Sequence, residues 1–288
     1  MTDTFYQPVP SSQIKAYEVH ISPVKRFFKS DVFQRMVILS VIMLAWQGLA
    51  FYIHGYIHNG NLLFPTITET LSELGRLLIT TEFLNQIWLT VLILAACSAI
   101  GIILGFLFAG FSISTRIGYN FLELIAPPMS SLPAVALISA AILAFSSNLS
   151  SMIFVVSNAV FWTVLASTHA GFTHVPETLR RVGQNYGLSS VNFVRYILFP
   201  AALPSILMGI RLGISRAFQA FVAVELVIGS VYGGGALGFF IAEAKNNYQP
   251  PLVYAGLFAI MLISYILDNQ LFGFIERRTI IKWGMKSN

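Results

Sequence analysis

The sequence predicts an all-α integral membrane protein with about six transmembrane helices, and three observations support this. Hydrophobic residues make up 56% of the 288 positions and charged residues only 10%, whereas a soluble domain carries about 25% charged residues. The apolar residues gather in runs long enough to cross a hydrocarbon core of ~30 Å. Most basic residues lie between those runs. Since lipid cannot pair with backbone polar groups, each run should form a helix.

The apolar runs give the predicted spans, which follow one another along most of the chain. In order, the six spans are Met36–Ile53, Ile87–Phe111, Phe121–Phe145, Ser151–Thr168, Ser205–Gly229 and Leu252–Ile275. The third run contains Pro127, Pro128 and Pro133. Because a proline removes a helical hydrogen bond, we expect these residues to break the third helix.

The distribution of basic residues predicts the orientation. With a cytoplasmic N-terminus, 13 Lys and Arg residues fall in cytoplasmic segments, and only Arg76 and Lys245 fall in outer segments. Membrane proteins keep an excess of Lys and Arg in their cytoplasmic loops, so both termini are predicted to be cytoplasmic. The 13 residues are Lys15, Lys25, Arg26, Lys29, Arg35, Arg116, Arg180, Arg181, Arg195, Arg277, Arg278, Lys282 and Lys286.

Two tails flank the predicted transmembrane domain, which covers residues 36–283. The N-terminal tail, 1–35, includes the basic and aromatic stretch Lys25–Lys29, and the C-terminal tail is 284–288. The N-terminal stretch is either a short amphipathic helix on the anionic leaflet or an ordinary charged flank of the first span. The net charge of +5 does not predict nucleic-acid binding, because the basic residues lie at helix ends.

The two long outer segments differ in character. The first contains an amphipathic stretch, Ile67–Ile79, that Thr66 or Thr68 could cap, and we expect a helix lying on the outer face. The second, residues 230–251, is rich in glycine and ends in Pro250-Pro251. Its composition predicts flexible turns beside the membrane.

The longest cytoplasmic segment, residues 170–204, begins with a predicted short helix. Pro176 can open this helix with Glu177 in its first turn, and Gly187 can end it. The apolar residues of the helix fall on one face at helical spacing. They are Leu179, Val182 and Tyr186.

A second short helix should follow before the chain re-enters the membrane. Ser189 or Ser190 can cap it, and Pro200 and Pro204 are expected to mark the turn into the fifth span. The two helices would form a rigid elbow that could fit a groove on a soluble partner. The alternative is an ordinary amphipathic connector.

Spacing within this elbow matches a known pattern. Gly187 is followed by nine residues and then by Ile197-Leu198-Phe199-Pro200. The elbow thus resembles the loop of ABC-importer permeases, which has Glu-Ala-Ala, three residues, Gly, nine residues and Ile-x-Leu-Pro. Phe199 replaces the family's Leu, and the Glu-Ala-Ala triplet falls on Arg181-Val182-Gly183. In the family this Glu helps to fix the contact with the ATPase, so the departure falls on a residue of the docking contact, and whether it alters docking stays open.

The resemblance extends over roughly Leu62–Trp283. Ala201–Ile206, Gly209–Gly213 and Val222–Leu226 are similar to the permeases for taurine, aliphatic sulfonates and nitrate. Gly235–Phe239 resembles the glycine-rich outer loop of that group. The resemblance implies a type I ABC-importer transmembrane domain, multi-pass in a bacterial inner membrane.

What the resemblance implies is one subunit of a larger transporter. A second permease subunit, expected as a homodimer partner, would pair with it in lipid. Two cytoplasmic ABC ATPase subunits would bind the loops, and an extracytoplasmic binding protein would deliver the solute. ATP and Mg²⁺ would act in the ATPase, because this chain has no GxxxxGK[ST] motif; we expect no enzymatic activity and no cofactor here. The coupling residues would be Pro176, Glu177, Leu179, Arg180, Arg181, Tyr186, Gly187, Ile197, Pro200 and Pro204.

Ionisable residues within a span are candidates for the translocation path, because such residues usually face a cavity or a protein partner. Arg211 either attracts an anionic substrate near the inner gate or pairs near the cytoplasmic end, with Asp268 as one candidate partner. Arg216 either lines the path or has a structural role. Glu225 either contacts substrate or bonds to a neighbouring helix end.

Hydroxyl and imidazole groups give weaker candidates. Ser130, Ser131 and Ser139 in the third run could bind a solute, or they could simply fill close helix contacts. His54 and His58 are four residues apart. No acidic or cysteine residue lies near them in sequence, so we expect no metal site.

The expected solute is an anion such as a sulfonate, taurine or nitrate. The alternative is a thiamine-type pyrimidine precursor or an aromatic solute, because that subgroup shares the same motifs. Ser139 and Ala144 replace the proline and tryptophan usual in the group, which suggests an altered cavity. Two other classes are an ion-coupled secondary transporter, which would usually show inverted repeats, and an intramembrane enzyme, which would need a catalytic pair. Neither feature is visible in the sequence.

Overall fold

A computed structural model describes residues 31–58, 60, 63–230, 235–276 and 278–279. The described residues are mostly helical, with no β-strand among them. In chain order the helices are α1 (Asp31–Tyr56), α2 (Ile67–Leu77), α3 (Thr81–Ser114), α4 (Arg116–Ser131), α5 (Ala134–Ala144), α6 (Asn148–Thr173), α7 (Glu177–Asn185), α8 (Ser190–Phe193), α9 (Phe199–Ile228), α10 (Leu237–Asn246), α11 (Pro250–Ile266) and α12 (Gly273–Glu276). The predictions for 1–30, for Gly233-Gly234 and for 284–288 lie outside these residues.

Two stretches join helices through π-helical turns. Val194–Leu198 connects α8 to α9, and Leu267–Phe272 connects α11 to α12. Each junction therefore continues as one helical rod rather than as a loop. The fifth and sixth predicted spans, which begin at Ser205 and Leu252, are therefore parts of longer continuous helices.

Within the described part of the chain, five helical stretches are long and apolar enough to cross a membrane. They are α1, α3, α6, the stretch Val194–Ile228 and the stretch Pro250–Ile275. The remaining predicted span, the third, corresponds to α4 and α5, which are bent by 100° at their junction. The all-α membrane fold with five to six spans is therefore confirmed.

The break in the third predicted span differs from the prediction. Pro127 and Pro128 lie inside α4 without ending it. Only Pro133 separates the helices, and the preceding Leu132 is extended at ψ 126°. The residue before a proline is pushed out of the helical region, which explains why the break falls at Leu132.

Helix α6 forms the centre of the bundle, packed between α3 and α9. Small residues allow the close approach: a Cβ on Gly101 of α3 would lie 2.6 Å from Ser157 O, and one on Gly209 of α9 would lie 2.4 Å from Ser167 Cβ. Val160 of α6 is fully buried between these helices. Tight contacts at small residues are the usual way for helices to associate in lipid.

The bundle has two ends, which carry different short elements. We call the end with residues 174–198 the loop face, and the end with α2 and α10 the far face. On the far face, α2 begins with a capping box: Thr66 Oγ1 accepts from Glu69 N, and Glu69 Oε2 accepts from Thr66 N. The cap predicted for this helix is therefore confirmed at Thr66.

Helix α1 is attached to the bundle near the far face. The Trp46 indole N–H donates to Pro65 O at 3.0 Å, and Gln47 Oε1 accepts from Ile67 N at 3.1 Å. His54 Nε2 lies 2.8 Å from Phe64 O. The remainder of α1 is largely exposed in the single chain.

The prediction of flexible turns across residues 230–251 is wrong over most of this segment. It contains α10, and Pro250 and Pro251 are the first residues of α11. A proline fits the first turn of a helix because the N–H that it lacks would have had no partner there. The N-terminus of α10 is stabilised by side chains from distant helices, which sequence composition does not reveal.

Candidate functional site

The connection between α6 and α9 contains the first predicted helix of the elbow. Pro176 is the N-cap residue of α7, and Glu177 lies in the first turn. Gly187 follows the helix at φ +64°, a left-handed conformation in which glycine has no Cβ penalty. The Leu188 N–H donates to Gly183 O at 3.2 Å, a closure typical of glycine helix ends. The helix thus begins and ends where the sequence predicts.

Gly183 lets α7 lie directly against the segment that follows it. A Cβ at this position would lie 2.5 Å from Phe193 Cδ2 and 2.8 Å from Ile197 Cδ1. Ordinary carbon contacts are ~3.5–4.0 Å. The pattern found in the resembling loops has alanine here, and the ring of Phe193 occupies the space that its methyl group would need. The departure at Gly183 therefore has a packing reason.

Arg180 fastens α7 to the end of α6. Its Nη2 donates to Phe172 O at 2.9 Å and to Thr173 O at 3.4 Å, which are terminal carbonyls without intrahelical partners. Arg181 instead points outward, and its Nε lies 3.4 Å from Glu177 Oε1. That exposed pair contributes little to stability, whereas Arg180 ties α7 to the end of α6.

An apolar face of α7 lies open on the loop face. The exposed fractions are 40% for Leu179, 44% for Val182 and 80% for Tyr186. These residues are the ones that the sequence placed on one face. Contiguous exposed apolar residues with polar neighbours are typical of a surface that meets a protein partner.

The prediction that Pro200 and Pro204 mark a turn is wrong. The chain is helical without interruption from Ser190 to Ile228. The Phe199 N–H donates to Val194 O, so the π-helical turn still provides a backbone partner just before Pro200. Local π turns and neighbouring helices allow proline inside a membrane helix. The second half of the elbow is therefore continuous with α9.

Two of the three serine candidates bond to the backbone of their own helix. Ser130 Oγ donates to Pro127 O at 3.1 Å, and Ser131 Oγ donates to Pro128 O at 2.8 Å. Both carbonyls lie near the C-terminal end of α4, and that of Pro128 is among the last four, which lack intrahelical donors. Ser139 lies on the exposed side of α5. The structure thus separates Ser139 from the two serines that close α4.

Arg211 and Asp268 connect α9 to the last span. The Nε and Nη2 atoms of Arg211 donate to the two carboxylate oxygens of Asp268, a bidentate arrangement. Asp268 lies in the π-helical turn after α11. Of the two alternatives for Arg211, the structure shows the pairing.

A cleft opens beside this ion pair. It has a volume of about 640 Å³ and lies between α9 and the last span. Arg211 and Asp268 contribute to its wall, together with Ser215, Gln219 and Ser264. The remaining wall is mostly apolar, so the polar groups are concentrated on a few positions.

Arg216 lies near the middle of α9, on its exposed side. Its Nη1 donates to Thr163 Oγ1 at 3.3 Å. Among the residues that the structure describes, no carboxylate lies within ion-pair distance of it. Ser215 and Gln219 are exposed beside it, and we call these three residues the polar stripe. Because a charge at the centre of a bilayer costs about 2.5–3.5 kcal/mol, the polar stripe should face water or protein.

Glu225 is enclosed at the other end of α9, with 1% of its surface exposed. Its Oε1 accepts from Ala236 N at 3.0 Å, and its Oε2 accepts from Gly238 N at 2.9 Å. Both donors belong to the start of α10. A helix N-terminus offers free N–H groups and a partial positive charge. The bond to a helix end, one of two alternatives for Glu225, is therefore present.

Several partners of these residues gave no local signal in the sequence. Thr90 accepts from Leu237 N at 3.1 Å and Thr163 accepts from Arg216, and both contacts join residues far apart in the chain. Gly238 did carry a signal, because it lies in the glycine-rich segment after α9. A Cβ there would lie 2.8 Å from Glu225 Cβ, so the glycine permits this contact.

Comparison with protein families gives one match over most of this region. The model described as "Binding-protein-dependent transport system inner membrane component" matches residues 101–280. The matched stretch contains the elbow, α9 and the last span. It therefore includes both the Arg211–Asp268 ion pair and the polar stripe of α9.

Similar proteins of known name include transporters of two anions. The nitrate import permease NrtB of Synechocystis is 28% identical over 261 residues, covering 86% of this chain and 90% of that protein. The bicarbonate permease CmpB of Synechococcus elongatus is 30% identical over 152 residues, covering 52% of this chain and 51% of that protein. This second match spans only about half the length of either protein.

A solved structure supports the fold. A chain of an amino acid ABC transporter, crystallised with histidines, superposes with a TM-score of 0.55 at 14% sequence identity. The match covers 71% of this chain and 97% of that chain. At this identity the likeness concerns the arrangement of helices.

Proposed function

Because the chain belongs to the family of binding-protein-dependent transport system inner membrane components and is an ABC-importer permease subunit, we propose that it moves a small anion into the cell. Its relatives named for nitrate and bicarbonate support this solute class. A sulfonate or taurine falls in the same class. The protein is a multi-pass inner-membrane protein, and its family implies an ATPase and a solute-binding partner.

The proposed orientation has the loop face in the cytoplasm and both termini on that side. The loop face carries Arg116, Arg180, Arg181 and Arg195, in keeping with the cytoplasmic excess of basic residues in membrane proteins. The binding protein would then meet the far face. An accessibility assay on intact cells, with a cysteine introduced at an exposed far-face position, distinguishes this orientation from its inverse.

Coupling to the ATPase would run through α7. Its exposed apolar face, formed by Leu179, Val182 and Tyr186, offers the surface for the partner. ATP and Mg²⁺ would bind to that partner and not to this chain. Arg180 holds α7 against α6, and the second half of the elbow continues without a break into α9. A movement of the docked ATPase would therefore reach the middle of the membrane through rigid helices.

A second copy of the chain is the proposed partner within the membrane. Only 6% of the span in α1 is buried in the single chain, and the polar stripe is exposed at membrane depth. Pairing of two copies would give the polar stripe a protein or aqueous neighbour instead of lipid. The path would then lie between the subunits.

The position and environment of Arg216 support an anionic solute most directly. This arginine is a permanent cation near mid-membrane without a carboxylate partner among the described residues, whereas the charge of Arg211 is balanced by Asp268. Guanidinium binds planar oxyanions such as nitrate and bicarbonate with paired hydrogen bonds. Arg216 would attract the anion, and Ser215 and Gln219 would supply neutral hydrogen bonds.

The test replaces Arg216 by Gln in the assembled transporter and measures uptake of labelled nitrate and bicarbonate. Removing the cation should lower uptake at least tenfold, which is about 1.4 kcal/mol, while the subunits still assemble. Arg116→Gln removes the same charge from the start of α4 and should leave uptake near the wild-type value. Unchanged uptake in Arg216→Gln would refute a path role for this residue.

A further inference from the structure

Four backbone donors at the N-terminus of α10 have partners on other helices. Glu225 accepts from the N–H groups of Ala236 and Gly238, and from that of Phe239 at 3.4 Å. Thr90 of α3 accepts from Leu237 N at 3.1 Å. The first turn of a helix normally leaves such donors without intrahelical partners. Here each of these four donors is bonded to α9 or α3.

This contact resists partial opening. Glu225 is 1% exposed, and a Cβ on Gly238 would lie 3.0 Å from Glu225 Oε2, so the carboxylate and the helix end fit closely. If α10 moved away, a carboxylate would remain in an apolar surrounding without its donors, which is strongly unfavourable. The contact is therefore expected to be either fully made or fully broken.

The other end of α9 reaches the loop face. The helical rod from Ser190 to Ile228 has α7 packed against its first turns, and Glu225 lies in its last turn. Between them, Arg211 bonds to the last span and Arg216 to α6. A displacement of the elbow thus acts on a continuous helical rod, whose last turn contacts the N-terminus of α10 through Glu225.

Helix α10 presents its other half outward. Its first residues are buried, whereas Glu243, Lys245 and Asn246 are exposed on the far face. Toward α11 it packs tightly, because a Cβ on Gly256 would lie 2.7 Å from Ile241 Cγ1. The helix is positioned to move as a unit between α9 and α11, with its exposed end on the far face.

We propose that Glu225 is a positioning residue that makes α10 move with α9, so that events at the loop face reach the far face. This inference rests on the proposed coupling to an ATPase partner. The bonds to Glu225 transmit the motion, because they join the last turn of the rod to the first turn of α10. Glu225 itself would not need to contact the solute.

The experiment follows α10 with a chemical probe. The sole cysteine, Cys97, is buried, so a Cys97→Ser background with Lys245→Cys gives one reactive thiol on α10. The labelling rate of that thiol by a membrane-impermeant maleimide is measured in the reconstituted transporter with and without ATP. With Glu225 present, ATP should change the rate about fivefold or more, the lower range of coupling between distant sites.

In Glu225→Ala the ATP-dependent change should vanish, while the ATPase still binds and still hydrolyses ATP. Glu243→Gln removes an exposed carboxylate from α10 and should keep the full change. A change that persists in a folded Glu225→Ala transporter would overturn the proposal. If Glu225→Ala fails to fold, Glu225→Gln and Thr90→Val each remove part of the contact; each should reduce the change, and a full change in both would overturn the proposal.

The proposal and the function on which it rests fail differently. Absence of ATP-driven uptake in the unsubstituted protein would contradict the importer function, whatever α10 does. Normal ATP-driven uptake with no ATP-dependent change at position 245 would leave the importer function intact and overturn the coupling role of Glu225.

Discussion

Replacement of Gly101 by Ala tests the packing at the centre of the bundle. The new Cβ would lie 2.6 Å from both Ser157 O and Val160 Cβ of α6. Neither atom belongs to the flexible end of a side chain, so α3 and α6 must separate by roughly 1 Å to restore a contact of about 3.5 Å. Overpacking of this kind costs about 1–3 kcal/mol.

Gly110 provides the matched control on the same helix. A Cβ there meets nothing within 4 Å, so Gly110→Ala changes only the helix propensity, which favours Ala by about 1 kcal/mol. Both variants gain the same helix propensity, so it cancels when their stabilities are compared. It should place Gly101→Ala about 1–3 kcal/mol below Gly110→Ala in stability.

The assay is thermal denaturation of the purified permease in one detergent at a fixed scan rate, because unfolding of such proteins is commonly irreversible. Gly101→Ala should lose its monodisperse form several degrees below Gly110→Ala. Equal apparent Tm values for the two variants would refute the close packing of α3 on α6.

Two further predictions concern the elbow and the ion pair. Gly183→Ala should lower ATP-driven uptake because its methyl group displaces Phe193, and adding Phe193→Ala should restore part of the loss; undiminished uptake in the single variant would contradict this packing. Asp268→Asn should lower both thermal stability and uptake by leaving Arg211 without its carboxylate. The exchanged pair, Arg211→Asp with Asp268→Arg, should recover more stability than either single variant retains, and no recovery would argue against the ion pair.

Features encoded by neighbouring residues could be predicted from the sequence. The cap of α2 needs only Thr66 and Glu69, three residues apart. The start of α7 after Pro176 and its end before Gly187 likewise depend on local backbone preferences. The membrane spans follow from hydrophobic length alone, since the bilayer imposes it.

Features created by distant contacts could not be predicted in the same way. Helix α10 was missed because its N-terminus is stabilised by Glu225 and Thr90, which lie on other helices. Its glycines indicated turns when read locally, whereas Gly238 serves a close approach. For the same reason, the sequence alone allows two roles for Glu225, which are contact with the substrate and a bond to a neighbouring helix end.

The prolines and serines show a similar limit. Pro204 was expected to mark a turn, but the packed helix continues through it. Ser130 and Ser131 were candidate solute ligands, and their hydroxyl protons instead go to carbonyls at the end of α4. The sequence shows which polar residue types the spans contain. Which of their side chains already have a hydrogen-bond partner depends on how the helices pack.

ATP-driven anion uptake by the reconstituted transporter tests the central claim most directly. Proteoliposomes would contain this permease with its co-purified ATPase and binding protein, and labelled nitrate, bicarbonate and a neutral solute would be offered in turn. The account predicts accumulation of an anion only when ATP is present on the loop-face side, and its loss in Arg216→Gln. Accumulation driven by an ion gradient without ATP, or of the neutral solute alone, would contradict it.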